Sequence, residues 1–365
     1  MGNKRLNQSQ LLNTQRFIDK PLATIKNQLN ITMKHHFGDF LDRTGNYWTT
    51  IPNRERFAFI ADFEIENKNE VKILTISKNQ EKEHWKQVFD CPNLEELTLH
   101  SPSKEQVQAI RKLTNLKRLR VTFFRAKEIE FISDLHNLEE LILEYVSGFS
   151  DLSPLLKLKK LKSLHLENLR RVQNFEGLSG IESLKYLYIN GTLDWKQPID
   201  NFEFLKGLPN LEVLALIRVI NKTPFPAFKP ILHLKNLKKI RLISNMFATE
   251  EFAYLETVLP NVEGAVWEPY TKVVNGYMGM KTLPKKDERS KLSDKSLKEK
   301  HPEVKIINGN RMIKEPNPGW FEFLGKNAGK VKCNNPLAEK KCIAFSNKYL
   351  EMKKELKVQF KNNSF

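Results

Sequence analysis

The sequence predicts an α/β solenoid, a curved stack of short repeats with a parallel β-sheet on its concave face. Three observations lead to this fold class. The pattern Leu-x-x-Leu-x-Leu, with occasional Val or Ile, recurs seven times at spacings of 22, 22, 23, 23, 27 and 26 residues. Its last two apolar positions alternate, as in a strand that is buried on one face. Between the copies lie second apolar sets such as Leu155 and Leu158, which suit short helical turns on the convex side.

The repeats follow one another from about residue 71 to residue 267. The first leucines of the seven clear copies are Leu94, Leu116, Leu138, Leu161, Leu184, Leu211 and Leu237. One period earlier Val71 occupies the same position, and one period later Val262 begins a degenerate copy. Because a single copy cannot bury its apolar face, stacked copies must share one continuous core.

This pattern at this period resembles the leucine-rich repeat superfamily, with short repeats of the bacterial, internalin-like kind. The resemblance implies a non-enzymatic module that binds a protein; bacterial members include adhesins, effectors and immunity or defence components. The superfamily often has Asn or Cys two or three residues after the last leucine. Here those positions hold Pro102, Phe124, Val146, Leu169 and Thr192. We therefore expect apolar side chains to fill this corner, without the usual asparagine ladder.

Residues 1–70 are predicted to form an N-terminal α/β cap, because a solenoid needs its first repeat covered. Two helical patterns and one strand pattern precede the repeats, at residues 11–18, 22–31 and 57–65. Asp62, Glu64 and Glu66 share one face of the predicted strand, which could indicate a cation site. Alternating carboxylates are more typical of a solvated strand edge, so no metal site is predicted.

The solenoid is predicted to span residues 71–273 and to be followed by a Lys-rich insertion at 274–300. The composition of this insertion favours a mobile loop, and an excursion without a role is the alternative. Residues 301–365 are predicted to hold one last repeat strand, beginning at Val304, and a capping segment with an amphipathic helix. The apolar stripe of this helix is Ala338, Cys342, Phe345, Tyr349, Met352 and Leu356. A partner helix or an anionic surface is the alternative to capping.

Charge and composition exclude some classes of protein. The chain has 365 residues and a net charge of +17, and residues 271–365 contain 22 Lys and Arg against 10 Asp and Glu. This basic region could bind nucleic acid, although only two of its cations are arginines, the residues best suited to bidentate phosphate contacts. No stretch is long and apolar enough to cross a membrane, and only three cysteines occur. With no recognisable signal segment, we expect a cytoplasmic protein, and its oligomeric state is left open.

No catalytic, metal-ligating or cofactor-binding arrangement is evident. Residues 325–331 are similar to a phosphate-binding loop, but one spacer residue is missing and Val331 stands where Ser or Thr should bind magnesium. Cys333 and Cys342 have no histidine nearby, which argues against zinc. We therefore expect a protein without enzymatic activity and without a cofactor.

Strand alternation predicts which side chains line the concave face, where we expect a partner to bind. In the early repeats, Arg118 and Arg120 should pair with Glu140 and Glu144 on the next strand, and His165 follows one strand later.

In the later repeats, the same positions predict an exposed apolar and aromatic patch with cations at its border. Its members are Tyr186, Tyr188, Val213, Ile217, Ile243, Arg218, Lys239 and Arg241. Exposed aromatic side chains beside arginine are typical of protein interfaces. The alternative is that residues 274–300 or the C-terminal segment fold over this patch.

Overall fold

A computed structural model describes residues 33–35, 40–42, 49–51, 56–61, 64–77, 83–274, 279–315 and 318–362. The chain divides into two units, Met1–Arg171 and Val172–Phe365. The helical patterns predicted at 11–18 and 22–31 lie outside the described residues.

The first unit is built on a sheet that takes one strand from each repeat. Before the repeats, β1 (Met33–His35) pairs antiparallel with β4 (Arg56–Ile60), and β2 (Phe40–Asp42) pairs antiparallel with β3 (Thr49–Ile51). From β4 onward the neighbours are parallel and follow chain order through β5 (Ile73–Ser77), β6 (Glu96–His100), β7 (Arg118–Thr122), β8 (Glu140–Glu144) and β9 (Ser163–Glu167). The register is regular, with Leu97 opposite Leu119 and Leu119 opposite Leu141.

The strand predicted at 57–65 ends early, at Ile60. Gln87 explains the end, because its side chain accepts the N–H of Ile65 at 2.8 Å and donates to the carbonyl of Ala61 at 3.0 Å. These two backbone groups are thus paired with a buried side chain.

The apolar positions of the repeats form the core of the first unit. The strand residues Leu119, Val121, Leu141 and Leu143 are all buried. Short 3-10 turns and one helix, α1 (Lys104–Ala109), connect the strands, and Ser103 caps that helix through a capping box with Gln106. The corner after the strands is filled by Phe124, Val146 and Leu169, which are buried, as predicted from the missing asparagines.

Each of the four strands β6 to β9 is followed by one residue in the left-handed region. The residues are Ser101, Phe123, Tyr145 and Asn168, with φ between +48° and +56°. This conformation turns the chain so that the N–H of Phe123 is donated to the carbonyl of Glu144, at the end of the next strand, at 3.0 Å. Asn adopts such φ values readily, whereas for Phe and Tyr they are strained.

The second unit continues the repeats with three parallel strands: β10 (Tyr186–Asn190), β12 (Val213–Ile217) and β14 (Lys239–Leu242). A separate two-stranded sheet consists of β11 (Gln197–Ile199) and β13 (Val219–Asn221), which pair in parallel. The degenerate copy predicted at Val262 is reduced to one parallel bridge between Lys239 and Glu263. It follows α2 (Thr249–Val258). The two units therefore both have the leucine-rich-repeat solenoid fold.

The region after residue 273 corrects two sequence-based interpretations. Within the segment 274–300, expected to be a mobile loop, residues 279–300 contain β16 (Gly279–Thr282) and α3 (Asp294–Lys300). The strand at Val304, expected to be a last repeat strand, is β17 (Val304–Ile307), which pairs antiparallel with β18 (Asn310–Glu315). The sheet order is β16-β18-β17, and Leu283, Leu297 and Val304 form its own small core. Apolar side chains of β17 therefore pack within this small core, and β17 does not extend the repeat sheet.

The C-terminal segment consists of a small sheet and a long helix. β15 (Tyr270–Val273), β19 (Trp320–Phe323) and β20 (Lys330–Lys332) form an antiparallel sheet. The helix α4 (Ala338–Lys361) confirms the predicted amphipathic stripe, since Cys342, Tyr349 and Leu356 are buried. It packs on α2, where the Tyr349 hydroxyl donates to Glu256 at 2.8 Å. The role of this segment as the cap of the repeat array stays a prediction. The domain boundaries stay a prediction as well.

Candidate binding face

The candidate site is the set of repeat-strand side chains that point away from the core, here named the open face. Because side chains alternate along a strand, every second residue of the repeat strands belongs to it. In the first unit its members include Glu96, His100, Arg118, Arg120, Glu140, Glu144, His165 and Glu167. In the second unit they are Tyr186, Tyr188, Asn190, Val213, Ala215, Ile217, Lys239 and Arg241, with Arg218 and Ile243 just beyond the strand ends.

Charges on the open face of the first unit are paired across strands. Arg118 contacts Glu96 on one side and reaches Glu140 on the other, with Nε and Oε1 3.1 Å apart. The Nε of Arg120 donates to Glu144 at 3.0 Å. The predicted pairing of these arginines with Glu140 and Glu144 is confirmed. Because Arg120 and Glu144 are largely buried, their charges mainly neutralise each other and offer little to a partner.

The histidines of this face lie among these charges. His165 Nε2 is 3.7 Å from a carboxylate oxygen of Glu167. His100 Nδ1 is 2.9 Å from the hydroxyl of Thr122, and burial, together with the charge of Arg120, lowers the pKa of His100. Both effects favour the neutral form of the imidazole.

The open face of the second unit is less exposed than the sequence predicted. Tyr186 and Val213 are each only 1% exposed, so their place in an exposed patch is wrong. Val213 lies between Tyr186 and Lys239 in the register of β10, β12 and β14. Strand neighbours stand about 4.8 Å apart, so long side chains cover a shorter one between them. Ala215, between Tyr188 and Arg241, is fully buried for the same reason.

Several members of the predicted patch keep part of their surface accessible. Tyr188, Ile217, Ile243 and Arg218 are half-buried, and Arg241 is exposed. Lys239 is half-buried and its Nζ lies 2.6 Å from Glu263. Within the described part of the chain, Arg218 and Arg241 make no ion pair. The accessible remainder of the patch is thus apolar and aromatic, with two cations that are open to an acidic partner.

Sequence reasoning missed an aromatic ladder at the ends of the first-unit strands. The rings of Phe123 and Tyr145 stack with centroids 4.8 Å apart, and His100 meets Phe123 edge-on at 5.5 Å. Phe123 is 55% exposed. The available signal was an aromatic residue directly after the strand in two consecutive repeats, a position that Asn or Ser occupies in other repeats.

In the described part of the chain, no helix has both the length and the apolar composition that a membrane crossing requires.

Among known proteins, this chain is similar to several whose structures have been solved. No protein-family model and no curated protein matches the chain. An internalin of Listeria monocytogenes is 18% identical with a TM-score of 0.36, over 47% of this chain and 48% of that chain. A leucine-rich repeat protein of Leptospira interrogans is 17% identical with a TM-score of 0.31, over 52% and 65%. The Toll–Spatzle complex of Drosophila is 16% identical with a TM-score of 0.32, over 57% and 35%. The chain thus spans about one third to two thirds of the length of these proteins.

Proposed function

We propose that this protein is a non-enzymatic module that binds another protein through the open face of its second unit. The observation that supports it is the accessible surface of Tyr188, Ile217 and Ile243. Beside it lie Arg218 and Arg241, two cations that make no ion pair among the described residues. Tyrosine and arginine dominate the binding energy of many protein interfaces, because they combine large contact area with directed polar groups. A cytoplasmic location stays an expectation.

The partner that suits this surface is acidic around an apolar centre. Arg218 and Arg241 would each gain a carboxylate partner, whereas Lys239 already has Glu263. The buried side chains of Tyr186 and Val213 form the floor beneath the contact. Their contribution would be to hold Tyr188 in place, not to touch the partner.

The size of this surface limits what it can do alone. Three strands of four or five residues present an area of roughly 16 by 14 Å, from the rise per residue and the strand spacing. A stable interface needs about 800 Å² per partner. We therefore expect these strands to supply the centre of the interface and the flanking loops its border.

The test is a pull-down from cells that make the protein, with variants chosen by exposure. Tyr188→Ala/Arg241→Ala removes accessible groups of the open face. Leu193→Ala/Lys235→Ala is the control, since both residues are exposed on loops outside this face. We expect a stoichiometric protein that the wild type and the control retain and the open-face variant loses, with unchanged melting. Equal recovery by all three would contradict the proposal.

Nucleic-acid binding through residues 271–365 is the alternative function, and the same pull-down tests it. Recovery that disappears with nuclease and falls steeply with salt would favour this alternative. An interface centred on Tyr188 and Ile217 should depend far less on salt. Adding nuclease and comparing low with high salt therefore separates the two functions.

A further inference from the structure

A small cleft in the first unit collects cations from three different repeats. It has a volume of about 360 Å³ and is lined by Lys104, Arg125, Ala126, Lys127, Gly148 and Arg171. Lys104 follows β6, Arg125 and Lys127 follow β7, Gly148 follows β8 and Arg171 follows β9. Because parallel strands end at the same edge of a sheet, these segments meet there. Four of the six lining residues are cations and none is an acid.

The cations of this cleft lack the partners that several other cations of the unit have, such as Arg111 with Asp134 and Lys117 with Glu95. Among the described residues, Lys104, Arg125, Lys127 and Arg171 make no ion pair and no side-chain hydrogen bond, and all four are exposed. The nearby carboxylate of Glu105 pairs with Lys86 instead, with Oε1 and Nζ 3.8 Å apart. On the open face of the first unit, in contrast, Arg118 and Arg120 each contact a carboxylate. An anion in the cleft would give these four cations the partner charge that the described residues do not supply.

The backbone that carries these cations is held in place. Arg125 and Ser147 form a parallel bridge, with the N–H of Ala126 donated to Ser147 at 2.8 Å and the N–H of Ser147 donated to Phe124 at 2.9 Å. Gly148 has φ +104°, and a Cβ on it would lie 2.2 Å from the carbonyl oxygen of Ala126. Only glycine permits this close approach. The floor of the cleft is therefore a tightly packed loop pair, which is the kind of support that a binding site requires.

We propose that this cleft binds a compact ligand that carries at least two phosphate groups. Two phosphates carry about three to four negative charges at neutral pH, which matches four cations. The planar guanidinium groups of Arg125 and Arg171 suit bidentate phosphate contacts, and the two lysines add point charges. The volume lies in the range of small-molecule sites, which favours a small ligand over a long nucleic-acid chain.

Calorimetric titration with inorganic pyrophosphate tests this proposal. Arg125→Gln/Lys127→Gln removes two cations from the cleft. Lys112→Gln/Lys159→Gln removes the same charge from exposed lysines outside it. We expect the wild type and the control to bind pyrophosphate, and the cleft variant to bind at least tenfold more weakly. All affinities should fall as salt rises.

Three outcomes would overturn the proposal. The wild type could fail to bind pyrophosphate at millimolar concentration. Both variants could lose affinity equally, which would indicate that pyrophosphate binds through the overall positive charge of the protein and not through the cleft. A single-stranded oligonucleotide could bind in a cleft-dependent way while pyrophosphate does not, which would indicate a chain-like polyanion. If the cleft variant melts at a lower temperature than the control, Arg171→Gln, on a different loop, takes its place with the same expected loss.

Discussion

At the scale of single residues, Glu251 links folding to pH. Its side chain is buried in the first turn of α2 and accepts the N–H of Ala227 at 2.7 Å. Burial raises the pKa of this carboxyl to about 7 from the 4.5 of an exposed glutamate, although hydrogen bonds from the backbone N–H groups of Ala227 and Phe228 oppose the shift. At a pH between these two pKa values, Glu251 of the folded protein holds a proton that the same residue of the unfolded chain has released.

The stability of the protein should therefore fall as pH rises from about 4.5 to about 7. Each unit of pKa difference between the folded and the unfolded state corresponds to about 1.4 kcal/mol of unfolding free energy. We therefore expect Glu251 to account for a loss of about 3 kcal/mol of unfolding free energy over this pH range. Glu251→Gln should abolish this part of the slope, as measured by urea unfolding at pH 5 and pH 8. Glu250→Gln, at the exposed neighbouring position, is the control. A slope in Glu251→Gln equal to that of the control would contradict the assignment.

Tyr186 and Tyr188 should respond differently to truncation, although they are two residues apart on one strand. Tyr186 is buried and Tyr188 half-buried, so Tyr186→Ala leaves a cavity and should cost about 3–5 kcal/mol of unfolding free energy. Tyr188→Ala should cost less than half as much. Thermal melting of the two variants checks this, and comparable melting temperatures would show that the burial of Tyr186 has been misassigned.

At the scale of elements, the repeats are joined by an amide ladder in an unexpected position. Asn137 donates to the carbonyl of Thr114 at 3.0 Å, and Asn210 to that of Glu182 at 2.9 Å. Asn93 and Asn236 make the same bond to the preceding repeat. Each asparagine directly precedes the first leucine of its copy. The superfamily pattern places asparagine after the strand, whereas here the ladder lies before it.

Asn137→Ala should lower the free energy of unfolding by about 1 kcal/mol, because the carbonyl of Thr114 loses its donor, while the exposed Lys160, which donates to Asn137 at 2.6 Å, can turn to water. Asn115 supplies a matched control. It precedes Leu116 in the equivalent position, yet its side chain makes no hydrogen bond among the described residues. Asn115→Ala should therefore be close to neutral in the same urea titration. Equal losses in the two variants would mean that the ladder does not stabilise the array.

The lysine-rich segment 279–300 should resist trypsin, because it is folded onto a core. Leu297 is buried against Leu283 and Val304, and Arg289 is held by Asp287 and Glu303. Limited proteolysis of the wild type should leave this segment intact after exposed linkers are cut. Leu297→Ser should make it cleavable. Rapid cutting of the wild type between Lys281 and Lys300 would restore the interpretation as a mobile loop.

At the scale of the whole molecule, the sequence predicted what is periodic and local. The repeat strands follow from apolar residues at fixed spacing, and the register of Leu97, Leu119 and Leu141 follows from the same spacing. The antiparallel partner of Val304 has no such periodicity, so its strand was assigned to the repeat sheet. The burial of Tyr186 and Val213 depends on the length of side chains on neighbouring strands, which a pattern along one strand does not contain.

The basic cleft escaped prediction for a related reason. Lys104 begins α1, whereas Arg125 and Arg171 lie in two loops, and only the folded repeats bring these three cations to one edge. The net charge drew attention to residues 271–365, where the cations are more numerous. Part of that charge is engaged within the fold, for example Lys353 with Glu256 and Lys330 over the ring of Trp320.

The most direct test of partner binding on the open face is site-specific photocrosslinking. A photoreactive phenylalanine at position 188 would report contacts of the open face, and one at position 193 would report an exposed loop outside it. The account predicts one discrete crosslinked protein from position 188 that is absent from position 193 and is lost with Arg241→Glu. The same products from both positions, or a product at 188 that is insensitive to Arg241→Glu, would contradict it.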